Sequence, residues 1–138
     1  LLEAVAVSDS TLDVTELNDA IDLANTITGL DNAVTAFSLS IGATINGGDE
    51  SAFVILLTNE DNGQILITDQ NLVVDSGTVN VSTANDLDGI TGGIVTASIA
   101  TDSTVDSLAT LTGTNNAYTI TIASGDATGS TAAEFDSY

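Results

Sequence analysis

Short segments in which apolar and small polar residues alternate recur along the chain, and they constrain its fold more than any other feature. In residues 37–41 the apolar residues Phe37, Leu39 and Ile41 alternate with serines, and the same pattern recurs at 79–82, 95–99 and 118–122. A period of two indicates a β-strand with one buried face. Residues 2–7 form a weaker copy, and residues 65–67 are apolar on both faces, as in a fully buried strand. The residues predicted to point inward are Phe37, Leu39, Ile41, Val79, Val81, Val95, Ala97, Ile99, Tyr118, Ile120 and Ile122.

Several of these segments are followed by a signal for the start of a helix. Two residues with capping side chains stand three positions apart, which is the spacing of a capping box. Apolar residues at helical spacing follow, as at Leu17 and Ile21, and glycines stand where C-caps are expected. The pairs are Asp13 and Glu16, Thr83 and Asp86, Ser103 and Asp106, and Thr131 and Glu134; the glycines are Gly29, Gly89 and Gly113.

The repeated unit is therefore predicted to be a strand, a cap, a short helix and a glycine. Successive units begin at Val95 and Tyr118, 23 residues apart, whereas a βαβ crossover takes about 30 residues or more. This spacing favours a parallel β-solenoid with short capping helices, in which each strand–helix coil adds one strand to a growing sheet.

Residues 49–69 fit this pattern less well and leave a second fold open. They predict either a buried helix capped at Asp49 or a strand that turns at 59–63 into a hairpin. The hairpin would favour an antiparallel β-sandwich or a mixed β fold. In either case we expect one repeat-built module over 1–138, a piece of a longer polypeptide, with irregular coils in 1–63 and more regular ones in 64–138.

The charge of the chain excludes several classes of function. It contains 20 Asp and Glu and no Lys, Arg, His or Cys, which gives a formal net charge of −20. Catalysis through imidazole, thiol or amine groups is therefore excluded, and nucleic-acid phosphates would be repelled. No apolar run approaches the length of a membrane span, so we expect no direct membrane insertion. We predict that the chain is not an enzyme and that added salt stabilises it by screening like charges.

The last part of the chain resembles a known class of protein. Residues 92–98 (GGIVTAS) and 111–122 (LTGTNNAYTITI) are similar to the repetitive segments of giant secreted bacterial cell-surface proteins, found in cyanobacteria and other marine bacteria. These adhesin-like and surface-layer-like chains often carry haemolysin-type calcium-binding repeats elsewhere. The resemblance covers residues 77–138, which lack the glycine-aspartate nonapeptide of those repeats, and it implies an extracellular structural or adhesive role.

The predicted function is that of an extracellular structural segment, in a surface layer, sheath, filament or adhesin stalk. It would act by self-association rather than catalysis, with copies of itself or neighbouring segments of the parent chain as partners. A viral structural module, such as part of a phage fibre or a capsid decoration, is the alternative. Calcium-dependent adhesion and ice binding are lesser alternatives. Ice binding is suggested by outward pairs of small polar residues: Ser38 and Ser40, Asn80 and Ser82, Thr96 and Ser98, and Thr119 and Thr121.

Two acidic stretches are candidate calcium sites, with Ca²⁺ as the candidate cofactor. Residues 58–69 follow the outline of an EF-hand loop, with Glu60 at position 3, Asn62 at position 5 and Asp69 at position 12. Thr58 at position 1 lacks a carboxylate, so an acidic turn is the other interpretation. Asp86 and Asp88 form the second candidate site, although helix capping also explains them.

Overall fold

A computed structural model describes residues 5–27, 36–101 and 103–121, in which short strands alternate with helices. The strands are β1 (Val5–Val7), β2 (Thr11–Asp13), β3 (Phe37–Leu39), β4 (Thr44–Gly48), β5 (Ile65–Leu66), β6 (Asn71–Val74), β7 (Val95–Ile99) and β8 (Ala117–Ile120). The helices are α1 (Val14–Ile27), α2 (Glu50–Asp61), α3 (Val81–Ile90) and α4 (Val105–Leu108).

The strands form two sheets in which every pairing is parallel. One sheet has three strands in the order β1-β3-β5, and the other has five in the order β2-β4-β6-β7-β8. Along each sheet the strands therefore follow chain order. The helices form a layer of their own, in which α2 packs against both α1 and α3, while α1 contacts β4 and α3 contacts β7.

The predicted fold class, a parallel β-solenoid with short capping helices, is wrong. The structure is an α/β fold with two all-parallel sheets and four helices in the described residues. The helices are more than caps, because α1 and α2 have 14 and 12 residues and pack on each other as a layer. The antiparallel β-sandwich and mixed β alternatives are wrong as well, since each strand lies parallel to its neighbours.

Helix α1 begins where the sequence predicts it, directly after β2. The Asp13 carboxylate accepts hydrogen bonds from the backbone N–H groups of Thr15 (2.8 Å) and Glu16 (3.2 Å), so it satisfies donors that the first turn leaves free. Val14, Leu17 and Ile21 then lie on one face and are buried. These residues anchor α1 to the core.

Residues 49–57 form a capped helix as one of the two interpretations predicts, and the hairpin is wrong. The helix is not buried on all sides, because Val54 and Ile55 are about half exposed. Asp49 is the N-cap of α2, and its side chain accepts a hydrogen bond from the Ala52 N–H at 3.1 Å. Helix α2 buries Phe53 and Leu56 completely. Strand β5, which follows it, pairs with β3 in parallel.

Helix α3 occupies a segment that the sequence predicts to be a strand. Within residues 79–82 only Val79 makes a β-bridge, with Ile99, and the helix begins at Val81. Thr83 is a buried residue inside this helix and caps nothing, and Gly89 lies within the helix rather than after it. The alternating pattern predicts the wrong element at 79–82, because Val81, Ala84 and Leu87 also have helical spacing and form the buried face of α3.

The other predicted caps differ from the structure in smaller ways. Thr104, not Ser103, caps α4, and its hydroxyl accepts a hydrogen bond from the Ser107 N–H. Gly113 has a positive φ of 86° but lies in the loop before β8, beyond the end of α4. The pair Thr131 and Glu134 and the predicted C-cap Gly29 lie outside the described residues.

The predicted inward residues are mostly buried. Phe37, Val79, Val81, Val95, Ala97 and Ile99 belong to the core, and Leu39, Tyr118 and Ile120 pack against it while partly exposed. Ile41 is the error: it is 89% exposed, because β3 ends at Leu39 and residues 41–42 form a turn. Ile122 lies outside the described residues.

A buried glutamine joins three loops on one side of the sheets. The side chain of Gln70 donates to the Ser40 carbonyl (3.1 Å) and the Asp69 carboxylate (3.1 Å) and accepts from the Thr68 N–H (2.8 Å). The backbone carbonyl of Gln70 accepts from the Thr91 hydroxyl at 2.6 Å. The approaches to β4, β6 and β7 are therefore held together by hydrogen bonds.

Two buried asparagines join α1 to α2. Asn59 donates to Asn18 Oδ1 at 3.1 Å, and Asn18 donates to the Ala52 carbonyl at 2.9 Å. Asn59→Ala removes the donor and leaves a buried carbonyl oxygen unpaired, so we expect the free energy of unfolding to fall by about 1–3 kcal/mol. Urea denaturation measures the loss. Asn115→Ala, at an exposed position, is the matched control, and an equal loss in both variants would contradict the prediction.

Candidate functional site

The structure places the predicted calcium ligands of residues 58–69 on separate elements. Glu60 lies in the last turn of α2, and Asn62 is the C-cap that follows it. Asp69 lies in the loop between β5 and β6, where its carboxylate accepts from the Thr68 hydroxyl and the Gln70 amide. In the part of the chain that the structure describes, no group of three or more acidic side chains could hold a metal ion.

The second candidate pair points in two directions. Asp86 and Asp88 are two residues apart on α3, and residues at that spacing do not share a helix face. Asp86 is exposed, whereas Asp88 is half-buried and its carboxylate is bonded to the loop before β8. The two carboxylates are therefore not arranged to hold one ion together.

Calcium binding by residues 58–69 stays a prediction, and a pair of matched variants tests it. If a site forms there, Ca²⁺ raises the melting temperature above that in NaCl at equal ionic strength, because a bound ion stabilises the folded state. Glu60→Gln should abolish the difference, and Asp61→Asn should keep it, since both remove one charge but only Glu60 has a place in the loop outline. Equal melting temperatures of the unmodified chain in both salts would contradict calcium binding.

A connected group of polar side chains lies where α3 meets the loop before β8. Asp88 accepts from the Asn116 amide at 2.7 Å and from the Thr112 hydroxyl at 2.9 Å. One helical turn earlier, Asn85 accepts from the Thr112 N–H and donates to the Thr110 carbonyl, both at 2.8 Å. Two side chains on one face of α3 thus hold the loop that leads into β8.

Asn116 connects this cluster to the five-stranded sheet. Its side-chain oxygen accepts from the Val95 N–H at 2.9 Å, at the start of β7. Asn71, at the start of β6, makes a similar contact, because its side-chain oxygen accepts from the Ile94 N–H directly before β7 at 3.0 Å. An asparagine at the start of a strand therefore supplies an acceptor to the neighbouring strand at two places in the sheet.

Tyr118 closes the cluster from the side of β8. Its hydroxyl donates to the Ala84 carbonyl (3.3 Å) and accepts from Asn116 (3.1 Å). Burial, together with the negative charge of Asp88, raises the pKa of Tyr118 to about 12, although the hydrogen bond from Asn116 acts the other way. The phenol therefore stays protonated well above its ordinary range.

The raised pKa of Tyr118 predicts a loss of stability at high pH. Because the pKa of Tyr118 is higher in the folded state than in the unfolded state, the protonated phenol stabilises the fold. This contribution to stability is complete below pH 10.0 and is lost as the pH rises towards about 12. The chain has no Lys, Cys or Arg, so the two tyrosines are the only side chains that titrate in this range. We expect Tyr118→Phe to flatten the pH dependence of urea denaturation, with Tyr138→Phe as the control. An unchanged slope in Tyr118→Phe would contradict the assignment.

A cavity of about 400 Å³ lies beside this cluster, and none of its lining residues is charged. It lies between α4 and β8 and is lined by Leu108, Ala109, Leu111, Thr112, Gly113, Thr114, Asn116, Tyr118 and Ile120. Gly113 is required here, because its φ is positive and a Cβ atom would collide with the Asp88 carboxylate. The loop is therefore shaped to pass close to α3.

The acidic residues are distributed unevenly between the two ends of the five-stranded sheet. Residues 5–27, which contain β2 and α1, hold the five acids Asp9, Asp13, Glu16, Asp19 and Asp22. Residues 103–121, which contain α4 and β8, hold Asp106 alone. Asp88 of α3 also lies against the loop before β8. Because β2 and β8 are the two end strands of this sheet, the described residues carry more negative charge at the β2 end than at the β8 end.

The cluster around β8 was not predicted from the sequence, although two signals for it were present. The first is the recurrence of an asparagine directly before or at the start of a strand, at Asn71 and Asn116. The second is the run from Ser107 to Thr121, which contains no acidic residue in a chain that has 20. These signals indicate where two strands begin and which segment lacks acidic residues, but they do not indicate the contact with α3.

The small polar pairs proposed for ice binding do not form one row. Ser38 lies in the three-stranded sheet, in register with Ala6 and Leu66, and Asn80 and Ser82 lie at the start of α3. Of these residues only Ser98 is aligned with a small polar residue of another pair, Thr119, whereas Thr96 is aligned with Ala117.

Among the described residues, no helix combines the length and apolar character needed to span a membrane.

Comparisons with known proteins found no relative. The chain matches no family model, no curated protein and no solved structure.

Proposed function

We propose that the chain is a structural segment of an extracellular, cell-surface protein that acts by association with copies of itself or with neighbouring segments. The observation that carries this proposal is the outer edge of β8. Among the described residues, no strand pairs with that edge of the five-stranded sheet. An unpaired strand is a template for pairing with another chain.

The composition of β8 supports pairing rather than protection. Edge strands are commonly protected from association by charged residues, proline or bulges. Residues 117–120 (AYTI) contain neither charge nor proline, and β8 pairs with β7 in continuous register over four residues. At the other end of the sheet, β2 ends in Asp13 and follows Asp9. The edge of β8 is thus the less protected of the two.

The polar cluster next to β8 also fits a structural role. Both carboxylate oxygens of Asp88 accept hydrogen bonds from the loop, and the hydroxyl of Tyr118 is bonded on both sides. These groups hold one another and the backbone in place. They therefore make the edge strand rigid, which lowers the entropy cost of pairing with a partner.

Analytical ultracentrifugation tests the proposal. We expect reversible association of the purified chain that strengthens as NaCl is raised, because salt screens the repulsion between molecules of net charge −20. A chain that stays monomeric at all salt concentrations up to about 1 mM protein would contradict self-association.

The proposed location needs a separate measurement. Fractionation of the source cells, followed by detection with an antibody raised against this chain, should place the parent protein in the surface or secreted fraction. Recovery mainly from the cytoplasm would contradict an extracellular role.

A further inference from the structure

We infer that the partner of β8 is the β8 strand of a second copy, placed antiparallel to the first about a twofold axis. This inference rests on the proposed function and names the contact through which self-association occurs. It follows from three properties of the end of the sheet: its charge, its hydrogen-bonding groups and the shape of the surface beside it.

The charge distribution favours contact between two β8 ends. Two β2 ends would bring five acidic residues of each copy towards five of the other, whereas the β8 end of each copy brings Asp106 from residues 103–121 and the half-buried Asp88 of α3. Like charges placed opposite each other across an interface disfavour association. Pairing through β8 also places the two acid-rich ends on opposite sides of the dimer, as far from each other as the fold permits.

The hydrogen-bonding groups at the β8 end are self-complementary. A carboxylate only accepts hydrogen bonds, so the carboxylates of two acid-rich ends cannot bond to each other at neutral pH. The exposed residues Thr114 and Thr119 have hydroxyl groups that both donate and accept. The same surface can therefore face itself.

Apolar groups beside β8 provide area that a partner would cover. Tyr118 and Ile120 of the strand and Leu111 of the preceding loop are only partly buried, and they line the uncharged cavity. A second copy related by a twofold axis would cover these groups on both molecules at once. Such an isologous contact closes at two molecules and does not continue into a filament.

Charge reversal at Thr119 tests the inference. Thr119 is exposed and lies in the middle of β8, so a charge at this position meets its own copy close to the twofold axis. We expect Thr119→Glu and Thr119→Lys each to raise the dimer dissociation constant about tenfold or more. An equimolar mixture of the two variants should form mixed dimers with a dissociation constant close to that of the unmodified chain. This restoration also shows that both variants are folded.

Thr11→Glu is the matched control, because Thr11 is an exposed threonine in β2, the opposite end strand of the same sheet. We expect it to leave the dimer unchanged. If Thr119→Lys instead strengthens association while Thr11→Glu weakens it, the copies associate head to tail, with β8 against the acidic β2 end, and the twofold contact is overturned. Association that neither position affects would place the contact on another surface and would also overturn it.

The two proposals fail in different ways. If the unmodified chain does not associate at all, self-association itself is wrong. If it associates but forms species larger than a dimer, or is insensitive to charge at Thr119, self-association stands and the twofold pairing through β8 is wrong.

Discussion

Phe53→Ala lowers the free energy of unfolding by about 3–5 kcal/mol, the cost of removing a buried aromatic ring from a packed core. Phe53 is 0% exposed and projects from α2. Helix α2 contacts α1, α3, β4 and β5, and Phe53 belongs to the core cluster between these elements. Alanine suits a helix, and the loss therefore reports packing rather than helix propensity.

Urea denaturation with a matched pair of controls measures this loss. Phe53→Leu keeps most of the apolar volume and should cost clearly less than the alanine variant. Leu66→Ala removes an apolar side chain that is 53% exposed and should cost little. A Phe53→Ala variant as stable as Leu66→Ala would mean that Phe53 is not part of the core.

Gly93→Ala lowers the free energy of unfolding by about 2–3 kcal/mol, because the added methyl group meets backbone that cannot move aside. A Cβ atom at Gly93 would collide with the carbonyl group of Gln70 and lie 2.9 Å from the Asp69 carbonyl oxygen. The Gln70 carbonyl also accepts the hydrogen bond from Thr91. The substitution would therefore push apart the loops that Gln70 joins.

Gly89→Ala is the opposite case and serves as the control. Gly89 lies in α3, and no other group lies within 4 Å of the point that a Cβ atom would occupy there. Alanine at this exposed helical position should raise the free energy of unfolding by up to about 1 kcal/mol. Thermal and urea denaturation of the two variants should thus shift in opposite directions, and a stabilising Gly93→Ala would contradict the close approach of the loops.

Alternation and capping predicted the elements that have a simple local signal. Strand β7 lies in an alternating run, and α1 begins directly after an aspartate cap, as predicted. Strand β4 was missed because it ends in Gly47 and Gly48, residues that usually weaken a strand. In the structure these glycines are needed for close approach, since a Cβ atom at Gly48 would collide with Val14.

The fold class could not be predicted from caps, because a cap indicates where a helix begins or ends and not how helices pack on each other. The pattern predicts a short helix between positions 83 and 89, although α3 extends from Val81 to Ile90.

The candidate metal ligands were inferred from their spacing along the chain. The hydrogen bonds of Asp88 depend instead on Thr112 and Asn116, which are 24 and 28 residues away in sequence. A contact at that separation depends on the path of the loop, which local patterns do not specify.

The order of the strands determines how the molecule would respond to mechanical tension. Because β2 and β8 lie at opposite edges of the five-stranded sheet, a force that pulls them apart acts across the strands and stretches the slanted hydrogen bonds of the parallel ladders. The hydrogen bonds of each ladder would then break one after another, whereas in shear they would all break together. The sheet would therefore yield at low force and release one strand at a time, so that each strand lost lengthens the chain and relieves the load on the strands that remain.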